Sequence, residues 1–501
     1  MIKFRLRSML TAGCALGAIL GAALLPATAG AQAPAAAQAL PNEIVVRYAG
    51  ANTVGVGMLQ PLGQAWARKL GFRSVRVEQT ADPLEFHLVA EGAEGARKLR
   101  MEVKFHGTPS GTEPVVRGQV DFWGTVRPVR ESDLDALRRR NVPNVPSLAQ
   151  MQAPGVENVI ALDAIAFITH PSNPVRRISV TQLKDVLLGK IVNWSQVGGP
   201  DMPIQIYAPD PGFGTFEGAC QVIMGIATSQ QCVQQMAKLA APHFKSVDDL
   251  SDTVAGNPAA LGWVGIVAKR SARPLQLITE CGGTADPEIF NAKAEEYLLT
   301  RRYFLYTTPG KPLSPSAKAF LDFVLSEDGQ NALKAAGAVD LLPGIAPETY
   351  VAERLDGAGN AQDGGRTRIR PTDARAFEEA TQNASRLSIT FRFREGTDNL
   401  DSRAEADLVR LAELMKKPAY AKSQLVLIGF SAARGDYAAN RALSRERAMA
   451  VRERLVGQLG VKDVVAVGVG PTSPVACNSD GAPTAHMNQR VEVWVRRSPG
   501  I

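Results

Sequence analysis

An α/β fold followed by a small α+β sandwich is what this 501-residue sequence predicts. Three observations point there. Residues 43–71 run from a β-branched strand (44–48) through the turn Ala49-Gly50-Ala51-Asn52-Thr53 into a helix marked by Met58, Leu59, Leu62, Trp66 and Leu70. Two more turns of small residues sit between strand and helix further on. The alternation of strands and helices then starts afresh after Ser385. A chain this long exceeds a single core, so two or three domains are expected.

The N-terminus reads as a secretory signal, residues 1–31. Lys3, Arg5 and Arg7 form its basic end, residues 9–25 its apolar part, and Ala29-Gly30-Ala31 a small-x-small cleavage site. Cys14 lacks the surroundings of a lipidation site, because Thr11 stands three residues before it and most of the apolar run follows it. Losing three positive charges takes the net charge from +7 to about +4, too mild to imply nucleic acid. No later run reaches the ~20 apolar residues that span a bilayer. Four cysteines follow the signal. Cys220 and Cys232 are expected to bridge in an oxidising compartment, while Cys281 and Cys477 are either free or tie two domains together. The five histidines show no metal-ligand spacing, so neither a metal nor a cofactor is expected.

After the opening unit, residues 75–78, 85–89, 100–105 and 119–123 read as strands, with the second turn, His106-Gly107-Thr108-Pro109-Ser110-Gly111-Thr112, before the last of them. Residues 158–162 and 165–170 read as two further strands. Ser179 caps a helix running to Leu188. The strand 204–207 precedes the third turn, Pro209-Asp210-Pro211-Gly212-Phe213-Gly214-Thr215. Ser314-Pro315 starts a helix that carries Phe320, Phe323 and Val324 on one face. A strand that turns abruptly into a helix leaves unpaired N–H groups at the positive end of the helix dipole, and three such turns can enclose one anion. An ordinary open sheet without a ligand is the plain alternative.

Residues 43–342 resemble periplasmic substrate-binding proteins of the phosphate-binding type. The resemblance rests on Gly50-Ala51-Asn52-Thr53-Val54-Gly55, His106-Gly107-Thr108, Gly118-Gln119-Val120-Asp121, Asn173-Pro174, Gly189-Lys190-Ile191-Val192-Asn193-Trp194, Gly214-Thr215, Leu261-Gly262-Trp263-Val264-Gly265, Glu295-Glu296-Tyr297 and Arg301-Arg302. It implies two α/β lobes (residues 43–345) joined by crossover strands. These would close on phosphate or a related anion and deliver it to an ABC transporter. The ligand residues it implies are Thr53, Val54, Thr108, Ser110, Arg127, Gly214 and Thr215. The third turn departs from the family: Pro209 replaces an arginine that would clamp phosphate, and Phe213 replaces a serine.

Residues 353–372 are rich in Gly, Asp and Arg, and residues 346–384 are expected as a flexible linker. Beyond it, strands are expected at 387–393, 425–430, 464–468 and 490–495, and helices at 404–415 and 437–456. Arg447 lies on the stripe formed by Leu443, Val451 and Leu455, where a charge needs either a partner or a route to water. Residues 385–498 resemble the OmpA-like domain that holds proteins to peptidoglycan, through Gly429-Phe430-Ser431, Gly435, Asn440, Leu443-Ser444, Arg447-Ala448, Pro474-Val475-Ala476-Cys477-Asn478 and Asn488-Gln489-Arg490-Val491-Glu492-Val493. The resemblance assigns Arg447 to grip diaminopimelate, with Asn440 and Asp436 nearby, and places Ala432 where an aspartate is usual.

The expectation is a non-enzymatic receptor in the periplasm, associated with the cell wall or outer membrane. The rival is a structural envelope protein whose degenerate sites serve as interaction surfaces. A hydrolase fits poorly, since no Gly-x-Ser-x-Gly elbow is present.

Overall fold

The computed structural model describes residues 40–92, 97–226, 228–281, 283–347, 370–394, 397, 399–433, 435–477 and 485–497. The signal and most of the expected linker lie outside the described residues. Eighteen strands are described: β1 Glu43–Gly50, β2 Ser74–Gln79, β3 Glu85–Glu91, β4 Lys98–Lys104, β5 Phe122–Thr125, β6 Glu157–Thr169, β7 Arg177–Ser179, β8 Gln205–Pro209, β9 His243–Phe244, β10 Ala260–Gly265, β11 Arg273–Pro274, β12 Gln276–Ile278, β13 Thr284–Ala285, β14 Thr300–Tyr306, β15 Ala384–Arg392, β16 Gln424–Phe430, β17 Val464–Gly468 and β18 Arg490–Arg496.

One sheet runs through both lobes in the order β2-β3-β4-β1-β5-β14-β6-β10-β8-β9. Lobe 1 holds β1 to β5, with the helices Gln60–Lys69, Pro315–Leu325 and Glu327–Ala335 packed on Ile44, Val46, Tyr48, Leu88 and Met101. Lobe 2 holds β7 to β13 and a core around Phe167, Trp194, Phe216 and Trp263. The antiparallel pair β6 and β14 joins the lobes. Residues 158–162 and 165–170, expected as two strands, fall mostly on the single strand β6. Asp163 interrupts the apolar run, yet its backbone stays extended because its carboxylate is paired with Arg301 on β14. β6 leaves β14 for β10 at this point, Ala164 facing Thr300 and Ile165 facing Gly265.

The C-terminal part is a four-stranded mixed sheet, β15-β18-β16-β17, in which β16 and β17 are parallel. The helices Ser402–Lys416 and Tyr437–Glu453 cover one face. The other face is covered by the helix Pro371–Thr381, which lies inside the stretch expected as linker. Few of its residues are large and apolar, but Phe377 wedges between Phe430 and Trp494, with ring centroids 5.9 Å from each. Gly429 lets the helix Tyr437–Glu453 lie directly on the sheet, since a Cβ there would fall 1.9 Å from the Ser444 carbonyl oxygen. Both cysteine pairs, Cys220–Cys232 and Cys281–Cys477, are bridged, and the second ties the two modules together. No helix among the described residues is long and apolar enough to cross a membrane.

Candidate functional site

The first turn is forced by close packing. Gly50 has φ +149°, and a Cβ there would sit 2.2 Å from the Gly124 carbonyl oxygen, so only glycine fits where the end of β1 lies beside β5. The chain then enters a helix at Asn52 whose N-cap, Ala51, offers no side-chain acceptor. The second turn lies against the first through Gly107 N–H donating to the Gly50 carbonyl at 3.0 Å. Its 3₁₀ segment Thr108–Gly111 also has no side-chain cap. Ser110 Oγ donates to the Gly107 carbonyl, and Trp123 Nε1 donates to that of Thr108. The helix after the third turn, Gly214–Ala219, starts from Phe213, again without a side-chain cap. By contrast, Ser179, Thr228, Ser246 and Ser314 cap the helices they precede. The helix starts after the three turns thus have no side-chain cap, although within the third turn the Gly212 N–H donates to Asp210 Oδ1 at 2.8 Å.

The first and third turns meet. A Cβ on Gly214 would lie 3.3 Å from Thr53 Oγ1 and 3.1 Å from Arg301 Nη1. Thr215 is buried beside them and Val54 is fully buried in the lobe 1 core. Arg301 lies along the helix at Gly214 and, one turn on, at Gly218, where glycine leaves room for the guanidinium. It donates to the Gly214 carbonyl, and Nε and Nη2 donate to Asp163 Oδ2 at 2.9 and 2.5 Å. Tyr303 adds a hydroxyl donated to the same oxygen at 3.0 Å. Burial works against the Arg301 charge, but the Tyr303 and Asp163 oxygens outweigh it and hold the group protonated.

Arg127 is clamped by Asp133 through two parallel bonds of 2.7 and 2.8 Å. Those bonds raise the guanidinium pKa above its ordinary value against the opposing effect of burial, and Glu217 on the helix after the third turn adds to the shift. Burial alone would raise the Asp133 carboxyl, yet the Arg127 hydrogen bonds and the Arg130 N–H hold it below the ordinary range. Sequence reasoning named Thr53, Val54, Thr108, Ser110, Arg127, Gly214 and Thr215 but gave Arg301, Asp163, Asp133 and Glu217 no role. Two adjacent arginines leading into the apolar run 303–306 were the available signal for Arg301. Histidine spacing also missed the grouping of His106 with Glu85 and Asp82, at 3.1 and 3.5 Å; Lys104 pairs with Glu85 as well.

In the C-terminal module Arg447 is buried, with its guanidinium carbon 5.0 Å from the Phe393 ring centre and Nη2 3.3 Å from Gln489 Oε1. Asp436 caps the helix, accepting from Ala439 N–H at 2.9 Å. Asn440 stands in the first turn of that helix, and Ala432 is buried in the loop after β16. On the opposite face of the sheet, beside Phe430 and Trp494, Arg490, Glu492 and Arg386 form a fully buried ionic ladder, and Trp494 Nε1 donates to Glu492 at 3.2 Å.

The family profile described as a PBP superfamily domain matches residues 75–328, just over half of the chain. That described as the OmpA family matches residues 392–486. Protein SphX of Synechococcus elongatus is 22% identical over 275 residues, which is 53% of this chain and 75% of that protein. The phosphate-binding protein PstS of Borreliella burgdorferi is 26% identical over 185 residues, 36% of this chain and 64% of that one. Among solved structures, the peptidoglycan-associated lipoprotein of Burkholderia pseudomallei matches 21% of this chain and 88% of its own at 27% identity, with a TM-score of 0.19. The chain therefore belongs to the PBP superfamily, with a phosphate-binding-protein-like module followed by an OmpA-family domain.

Proposed function

We propose that this protein is a periplasmic receptor for phosphate or a related oxyanion, held at the cell wall by its OmpA-like module. The observation that carries the reading is the convergence of uncapped helix starts on Thr53 and Gly214, with Arg301 alongside. Such donors satisfy an anion without a side-chain cap. The same cleft argues for weak phosphate binding. Pro209 and Phe213 withhold a bidentate arginine and a hydroxyl, and the guanidiniums of Arg127 and Arg301 already hold carboxylates. A ligand must share Arg127 with Asp133. One missing charge-assisted contact costs on the order of 1.5–3 kcal/mol. An ABC transporter as recipient follows from the family alone.

In the OmpA-like module, Arg447 would take the free carboxylate of diaminopimelate in place of Gln489. Ala432 offers no anion to the amino end, so wall binding should be weaker than with an aspartate there. The second reading, a structural envelope protein, draws on those paired guanidiniums and on Ala432. Calorimetric titration of the full chain with inorganic phosphate, sulfate and molybdate separates the two. Heat from any oxyanion that disappears in Thr53→Val supports the receptor; silence from all three supports the scaffold.

A further inference from the structure

We propose that the OmpA-like module is a brace on the hinge of the two-lobed module, so that its docking and the opening of the cleft are coupled through β14. The proposal deepens the receptor reading and rests on it only for the meaning of cleft closure.

Any rotation of one lobe against the other must bend β6 and β14 where they part, at the pair Asp163 and Arg301. Successive residues of a strand face opposite sides. Arg301 faces the meeting of the first and third turns, bonded to Asp163 and Gly214. Arg302 faces the OmpA-like module: it grips Glu295 of its own module through Nε and Nη2 and meets Asp401 of the OmpA-like module at 2.8 Å. Asp401 also caps the helix Ser402–Lys416, so the pair seats that helix on the hinge. Glu295 receives Arg403 and Arg392 from the same module, at 3.1 and 3.3 Å. The other hinge strand is held too: Glu157, at the start of β6, accepts from Ser402 Oγ at 2.5 Å and from the Tyr306 hydroxyl.

The module also reaches both lobes. The bridge between Cys281 and Cys477 fixes it to lobe 2, beside β12. On lobe 1, Lys417 meets Glu327 at 3.0 Å, and Arg394 donates to the Gln152 carbonyl at 2.5 Å, just before β6. A body bonded to both hinge strands, and to a lobe on either side, restrains the angle between the lobes. Arg302 is then a positioning residue: it fixes the strand that presents Arg301 to the cleft.

The test is lobe separation in the full chain, read by single-molecule energy transfer between dyes on non-natural residues at Val77 in lobe 1 and Val192 in lobe 2, both exposed. We expect a narrow distribution in the oxidised protein. It should shift to wider separations and broaden in Asp401→Asn and in the double variant Cys281→Ser/Cys477→Ser, and most when the changes are combined. Reduced wild type opens the same bridge without that substitution, and Cys220→Ser/Cys232→Ser, which lacks only the bridge inside lobe 2, is its control. Identical distributions across all forms overturn the brace. The measurement uses no cleft ligand, so a protein deaf to phosphate, sulfate and molybdate alike would sink the receptor reading and leave this one standing.

Discussion

Arg127 illustrates how one residue can be both ready and restrained. Its two bonds to Asp133 keep it charged and aimed, but they compete with a ligand for the same nitrogens. Asp133→Asn should therefore strengthen oxyanion binding, and Arg127→Ala should weaken it by roughly 1.5–3 kcal/mol, the value of a hydrogen bond to a charged group; calorimetry reads both. Arg447 poses the matching question in the second module. Pull-down on purified peptidoglycan should show weak binding by wild type, loss in Arg447→Ala and gain in Ala432→Asp. Equal binding by wild type and Arg447→Ala would mean that the module holds the wall elsewhere or not at all. Arg447 was legible in the sequence because a lone charge broke an apolar stripe. Asp133 was not, although it lies only six residues from Arg127, because an acidic residue in the first turn of a helix is ordinary capping chemistry and nothing in the sequence says that the chain at Pro128 turns Arg127 back onto it.

At the scale of elements, local chemistry was the readable part. Ser314-Pro315 announced a capped helix and Pro315–Leu325 is one, with Ser314 Oγ accepting from Ala317 N–H at 3.1 Å. Ser314→Ala should lower stability by about 1 kcal/mol, a typical capping value, visible as a drop in Tm. Long-range pairing was the unreadable part. The polar residue Asp163 looked like a break between two strands, and only Arg301, far along the chain, explains why β6 continues through it. The helix Pro371–Thr381 escaped notice for a related reason: its stability comes from one aromatic, Phe377, seated between Phe430 and Trp494, rather than from a periodic stripe.

At the scale of the molecule, the two modules share buried charge. Glu295 sits among Arg302, Arg392 and Arg403. Burial would raise its carboxyl, but the three guanidiniums overturn that and hold it far below its ordinary value of 4.5. A carboxyl depressed on folding contributes stability that is complete above the unfolded value and declines as pH falls toward the folded one. Glu295→Gln should thus cost about 3–5 kcal/mol near pH 7, the penalty for breaking a buried ion pair. The gap from wild type should narrow as pH drops below 4.5. Denaturant unfolding at pH 7 and pH 3.5 reads that change, and a gap independent of pH would exclude the linkage. Nothing in the sequence placed Glu295 opposite Arg403, since the partners lie on different modules; the cysteine count only left open the link that Cys281 and Cys477 make.

Whether the cleft takes an oxyanion, and takes it weakly because of what its third turn has lost, decides between a receptor and a scaffold. Calorimetric titration of inorganic phosphate into wild type and into the double variant Pro209→Arg/Phe213→Ser tests both at once. The prediction is weak binding by wild type and distinctly tighter binding by the double variant. Tight binding by wild type, or no binding by either protein when both are folded, would contradict it.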